Sequence, residues 1–273
     1  MLEATHISYK VKHKYLLRDI SLRLHAGEVV AILGANGAGK STLLKTIAGE
    51  IKPSEGNIYL NKKCINNWKS IDLAKVRGVL PQSVQLAFPM PVLETVLLGR
   101  FAFQMQESAE QSRRVAHWAL QEVQLQDFKH RNINTLSGGE QQRVHLARVL
   151  TQIYEPTFSQ AKFLLLDEPV SNLDIAQQHN LLELVKKLTR KLQLGVLIIL
   201  HDMNLAAQYA DQIIIMKHGH IIECGTPDKA LVPETIHEAF GVESIVQTHP
   251  LYDCPQVITL QNTSNINLPN NIY

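Results

Sequence analysis

Cysteine is scarce: Cys64, Cys224 and Cys254 are the whole complement of a 273-residue chain, too few and too far apart for a disulfide framework. That usage suits a reducing compartment. Long apolar runs are missing too; stretches such as Val196-Leu197-Ile198-Ile199-Leu200 are strand-sized, far below the ~20 residues needed to cross a bilayer. Any membrane role must come through a partner. Charge of one sign is also lacking, since 27 Lys and Arg stand against 25 Asp and Glu for a net +2, which removes the electrostatic case for nucleic acid as a partner. The 12 histidines are scattered without metal-ligand spacing. His249-Pro250 and Cys254-Pro255 fit an ordinary loop better than a metal site. Met1 to His6 show no basic region followed by an apolar one, so no secretory signal is expected. The end, Gln261 to Tyr273, carries five Asn, one Pro and no charge, and is expected to be poorly ordered.

What is present is a core-forming composition, 45% hydrophobic, ample for one large α/β domain or two small ones. Strand-like pieces at Ala4–Tyr9 and Leu17–Leu24 precede a helical pattern from Leu93 to Gln126, with Val115, Trp118, Ala119, Val123 and Leu125 close to 3.6 periodicity. The second half alternates Phe163–Asp167, Ile175–Leu192, Val196–Leu200, Leu205–Tyr209 and Ile213–Met216. Such alternation predicts a parallel sheet with helices on its faces.

Gly34-Ala35-Asn36-Gly37-Ala38-Gly39-Lys40-Ser41 fits G-x-x-x-x-G-K-[ST], between the apolar strand Glu28–Leu33 and a helix beginning at Ser41-Thr42. Glycines let backbone N–H groups turn toward an anion, and the following helix adds its positive end. Lys40 supplies a charge for the phosphates and the Ser41 hydroxyl a magnesium ligand. A phosphate loop alone does not define function. The apolar strand Phe163–Leu166 ends in Asp167-Glu168; this places Asp167 at the carboxyl edge of the sheet, suited to hold magnesium through water, and Glu168 next to it, suited to polarise an attacking water. Leu136-Ser137-Gly138-Gly139-Glu140 precedes a second helix whose N–H groups and dipole form another anion site. Two phosphate-binding helix ends in one chain raise the prospect that the second serves a neighbouring copy.

Leu-Ser-Gly-Gly-Glu, after a phosphate loop and before an Asp-Glu-Pro strand end, resembles the ATP-binding cassette, or ABC, ATPase family over roughly residues 2 to 245. The resemblance implies an α/β ABC-type P-loop ATPase: a RecA-like parallel-sheet core, an N-terminal antiparallel β subdomain and an α-helical subdomain inserted at about 88–160, within one domain spanning 1–260. It implies ATP and Mg2+ as ligands. Gly34, Asn36, Gly37, Gly39, Lys40, Ser41 and Thr42 would hold the phosphates of one ATP, with Ser137, Gly138, Gly139 and Glu140 of a second copy closing over it. Ser41, Gln82 and Asp167 match the magnesium positions; Glu168, His201, Lys40 and Gln82 match the catalytic ones. Tyr9 matches the aromatic that stacks on adenine, with Tyr15 as competitor. Ser171-Asn172-Leu173-Asp174 resembles the loop that crosses the dimer interface, with Asn172 where Ala is more usual.

The absence of membrane spans and of a second cassette points, within that family, to a separate importer subunit. The segment Phe88–Arg100 is similar to that of ATPases serving iron-siderophore, haem and cobalamin permeases. The long connection Tyr154–Lys162, Gln177-Gln178-His179 and the end residues His249-Pro250 and Cys254–Val257 are most similar to the haem-import subgroup. The implied assembly is a homodimer with two integral-membrane permease subunits and, indirectly, a periplasmic or surface substrate-binding protein, peripheral to the cytoplasmic face of the inner membrane. Siderophore or cobalamin import, or a soluble non-transport ABC ATPase, are the competing expectations.

Overall fold

Val29 to Leu33 are all apolar and all buried, and such a run is stable only in a sheet covered on both faces. A computed structural model describes residues 1–83, 88–155 and 160–260. The expected poorly ordered end 261–273, and residues 156–159 of the long connection, lie outside the described residues.

Along the chain, β1 (Leu2–Val11) and β2 (Lys14–Leu24) form a hairpin, followed by β3 (Val29–Gly34) and α1 (Lys40–Ile47). Next come β4 (Glu55–Leu60), β5 (Lys63–Cys64), α2 (Ser70–Val76) and β6 (Arg77–Leu80). A helical stretch holds α3 (Val92–Leu97), α4 (Ala109–Glu122) and α5 (Gly138–Ile153). Alternation then gives β7 (Phe163–Leu166), α6 (Ile175–Leu192), β8 (Gly195–Ile199), α7 (Met203–Tyr209), β9 (Gln212–Lys217) and β10 (His220–Gly225). The chain closes with α8 (Pro227–Ala230), α9 (Pro233–Phe240), β11 (Ser244–Thr248) and β12 (Pro255–Thr259).

The central sheet has the order β10-β9-β3-β8-β7-β6, parallel except for β10 at one edge. A second sheet, β2-β1-β4-β5, is antiparallel. Strand alternation sends neighbouring side chains to opposite faces, and the two cores follow from it. Val30 and Ile32 of β3 join Leu165, Leu197, Ile199, Ile214 and Met216 with the antiparallel sheet and α1. Ala31 and Leu33 join Leu164, Leu166, Val196, Ile198, Ile213 and Ile215 with helices α3 to α9. Cys254 is buried in that second core, under the hairpin of β11 and β12.

The helical stretch is interrupted where the periodicity alone predicts continuity. Residues 98–103 form a 3-10 segment, because Arg100 is drawn inward, 2% exposed, to cap the end of α5 through the Thr151 and Tyr154 carbonyls while pairing with Glu107. Capping one helix from another satisfies carbonyls that the second helix leaves open. At the start of α4, Ser108 and Gln111 exchange side-chain and backbone hydrogen bonds in a capping box.

Candidate active site

Four adjacent parallel strands, β3, β8, β7 and β6, end on the same edge of the sheet. Neighbouring strands lie about 4.8 Å apart, so residues far apart in sequence meet there. The loop after β3 is the phosphate loop; His201 lies just beyond β8, Asp167 and Glu168 directly follow β7, and Gln82 lies just beyond β6.

The loop's backbone explains its glycines. At Gly34 (φ 152°) a Cβ would meet the Met216 carbonyl oxygen at 2.4 Å, and at Gly39 (φ 103°) the Leu16 carbonyl oxygen at 2.8 Å. Both positions therefore need glycine for space as well as conformation. Gly39 caps α1 without a side-chain hydrogen bond, and the first turn of α1 holds no acidic residue, so its N–H groups and dipole face the cleft uncompensated. The cleft is about 340 Å³ and is lined by Lys14, Leu16, Asn36, Gly37, Ala38, Gly39, Lys40, Ser41, Thr42 and Glu168. Lys40 is 5% exposed, its ammonium donating to the carbonyls of Gly34 at 2.7 Å and Ala35 at 3.2 Å. Burial holds its pKa below the usual lysine range, against the opposing pull of Glu168 and Asp167.

Ser41 Oγ donates to Asp167 Oδ1 at 3.2 Å. Asp167 is buried, and burial pushes its carboxyl above the usual range despite that bond. Two hard oxygen donors, one of them a carboxylate whose charge is penalised by burial, match the requirements of a divalent cation such as magnesium.

Glu168 takes a left-handed backbone, φ 48°, uncommon for a non-glycine residue and costly unless its surroundings enforce it. They do so from both sides: Asp167 N–H donates to the Leu80 carbonyl at 2.9 Å, and the Ser171 hydroxyl and N–H donate to the Glu168 carbonyl at 3.1 and 3.3 Å. Both carboxylate oxygens are engaged. Gln82 Nε2 donates to Oε2 at 2.7 Å, and His201 Nε2 lies 2.7 Å from Oε1. A carboxylate aimed by two flanking groups at the cleft wall can orient and accept a proton from a water molecule.

Gln82, Lys40, Ser41, Asp167, Glu168 and His201 are thus brought to one strand edge. Ser137 to Glu140 are not among the residues lining the cleft. They open α5, where Ser137 and Glu140 form a capping box: Glu140 Oε2 accepts from the Ser137 N–H and hydroxyl, each at 2.8 Å. Those bonds hold the Glu140 carboxyl below the usual range. Gly138 instead lines a second cavity of about 180 Å³, with Gln82, Ser83, His145 and the loop residues Ser171, Asn172 and Leu173. Asp174 ends that loop as the cap of α6, accepting from Gln177 N–H at 2.8 Å.

Neither Tyr9 nor Tyr15 lines the cleft. Tyr9 packs half-buried against the core of the antiparallel sheet; Lys10 and Arg18 sit over the Tyr15 ring at 5.0 and 4.8 Å. Lys14 and Leu16 also line the cleft, and no phosphate-binding motif includes them. The available signal was the lysine-rich hairpin turn between the two tyrosines.

Comparison with known proteins accords with this geometry. Residues 17–171 match the family described as ABC transporter. A Hemin import ATP-binding protein HmuV from Gloeobacter violaceus is 42% identical over 97% of this chain and 96% of its own length. Its namesake from Deinococcus radiodurans is 44% identical over 94% of this chain and 97% of its own length. Among solved structures, a chain of an inward-facing metal-chelate type ABC transporter superposes with a TM-score of 0.80 at 25% identity, covering 95% of this chain and 97% of that one. A dimeric ATP-binding cassette in a post-hydrolysis state with ADP and phosphate gives 0.71 at 30% identity, covering 83% and 98%.

Proposed function

The chain belongs to the ABC transporter family of ATPases, and on that premise we propose that it powers haem uptake as the ATP-hydrolysing subunit beside a separate membrane permease. The convergence of Gln82 and His201 on the two oxygens of Glu168 carries the catalytic part of this reading. Glu168 orients and deprotonates the attacking water; Gln82 and His201 hold it in place. Lys40 and the loop N–H groups meet the charge on the phosphates. Magnesium, held by Ser41 and Asp167 with Gln82 beside them, supplies further charge neutralisation when bound.

The separation of Ser137–Glu140 from the cleft supports a head-to-tail pair in which each copy offers this helix end to the other's ATP. Closure favoured by ATP can then drive a bistable partner. An apolar surface supports a membrane partner: Phe101 is 68% and Met105 94% exposed, with Leu98 and Ile71 also open to solvent. Their mounting is firm, since Lys75 of α2 donates to Gln106 at 2.6 Å and lies over the Phe103 ring at 4.9 Å. Exposed clusters of this kind mark interaction sites. Among the described residues no helix is long and apolar enough to cross a membrane; a peripheral place at the cytoplasmic face follows from the proposed pairing with a permease.

Haem as cargo rests on the likeness to the two hemin-import relatives over nearly their full length. Reconstitution with the permease in liposomes, comparing haem, ferric siderophore and cobalamin, tests it. ATP turnover should rise with haem delivery; a rise with siderophore or cobalamin alone would reassign the cargo.

A further inference from the structure

The C-terminal hairpin contributes no residue to the cleft, yet it is fastened to the helix that follows His201. Asn204 Nδ2 donates to the Val257 carbonyl at 3.1 Å, and Asn204 Oδ1 accepts from the Val257 N–H at 2.7 Å. One amide side chain thereby satisfies both backbone groups of a buried residue in β12, as a neighbouring strand would. The backbone N–H of the same Asn204 donates to Asp202 Oδ1 at 2.7 Å, and Leu205 N–H donates to that oxygen at 2.9 Å. Asp202 is the N-cap of α7 and directly follows His201. Hydrogen bonds and one peptide link thus run from β12 through Asn204 and Asp202 to the imidazole beside Glu168.

The far end of α7 is held as well: the Tyr209 hydroxyl lies 2.8 Å from His179 Nδ1, and Lys186 Nζ donates to the Gln208 carbonyl at 3.0 Å. A seven-residue helix secured at both ends cannot pivot without breaking one set of bonds. The ring at its entrance is aimed accordingly. His201 is nearly half exposed and has little packing of its own to hold it, so its direction depends on the helix behind it.

We propose that Asn204 is a positioning residue for ATP hydrolysis: by fastening α7 to the C-terminal hairpin, it keeps His201 against Glu168. This rests on the roles given above to His201 and Glu168. A simple structural role would lower stability and leave the turnover of folded protein unchanged.

A double-mutant cycle on the purified full-length chain separates the two. Asn204→Leu keeps the bulk and removes both bonds; Asn204→Asp keeps the contact with the Val257 N–H but sets an oxygen against the Val257 carbonyl. Each is combined with His201→Ala, with ATP turnover, KM for ATP and Tm measured for all. Asn204→Leu should lower kcat about 10-fold with KM nearly unchanged, as sub-ångström misplacement of a reacting group does. Asn204→Asp should lie between it and the parent, and supplies the cycle if the leucine variant does not fold. In the His201→Ala background neither change should lower kcat further. An equal loss in both backgrounds, or parental kcat with only a lowered Tm, overturns the proposal. Parental turnover by His201→Ala alone would remove the role of His201, and this proposal with it.

Discussion

His145 faces inward from α5, 4% exposed, and its Nδ1 has no hydrogen-bond partner. It lines the small cavity between the start of α5, Gln82 and the loop Ser171–Leu173. Burial, aided by the nearby Arg148, pushes its pKa from 6.5 down to about 4. Because the unfolded chain then binds the extra proton between these two values and the folded chain does not, stability falls as the pH falls through that window. At pH 5 an unfolded imidazole is almost fully protonated and the folded one about a tenth, a cost of about 2 kcal/mol relative to pH 7.5. The full gap, about 3.4 kcal/mol, is reached only below pH 4. Against a total stability of about 5–15 kcal/mol, this is a large share. Urea unfolding at pH 7.5 and 5.0 measures it, with His145→Gln as the reference, since Gln keeps an amide of similar reach and does not titrate. The parent should lose about 2 kcal/mol more than the variant on acidification. Equal losses would show that His145 titrates alike in both states and refute the reasoning.

Three further outcomes are expected. Glu168→Gln should retain ATP binding and accumulate closed dimers, with turnover lowered about 10²- to 10⁴-fold; nucleotide binding and phosphate release read both, and parental turnover would remove Glu168 from its role. Asp167→Asn removes a carboxylate whose pKa is raised by burial, so at neutral pH, where the ionised form is the penalised one, the Tm without nucleotide should rise. The Tm gain on adding magnesium and ATP should shrink in the same variant. Glu140→Gln keeps a competent capping partner for Ser137 and removes a like charge from the helix end that meets the neighbour's phosphate; about 1 kcal/mol of repulsion in a wet interface predicts a roughly fivefold lower ATP concentration for dimer formation, read by light scattering.

Much of the site was legible because its chemistry is written in contiguous residues. A loop that cradles phosphate needs its glycines, Lys40 and Ser41 within one turn of chain, and the carboxylates must follow directly on a buried strand. Gln82 and His201 were visible only through a family resemblance, since each is an isolated polar residue at a strand end. Their meeting on Glu168 depends on the order β8-β7-β6. The break at residues 98–103 was hidden because apolar periodicity does not record that Arg100 turns inward to cap another helix.

The sequence by itself determined the nucleotide chemistry, the alternation of strand and helix, and the presence of two anion-binding helix ends, because these depend on neighbours along the chain. Only the tertiary structure decided that one helix end faces the cleft and the other does not. It also decided that Lys14 and Leu16 line the cleft, and that β12 is tied through Asn204 to the helix behind His201. Those relations arise from strand order and the packing of two cores on one sheet, where contact between distant residues depends on which faces must be buried together.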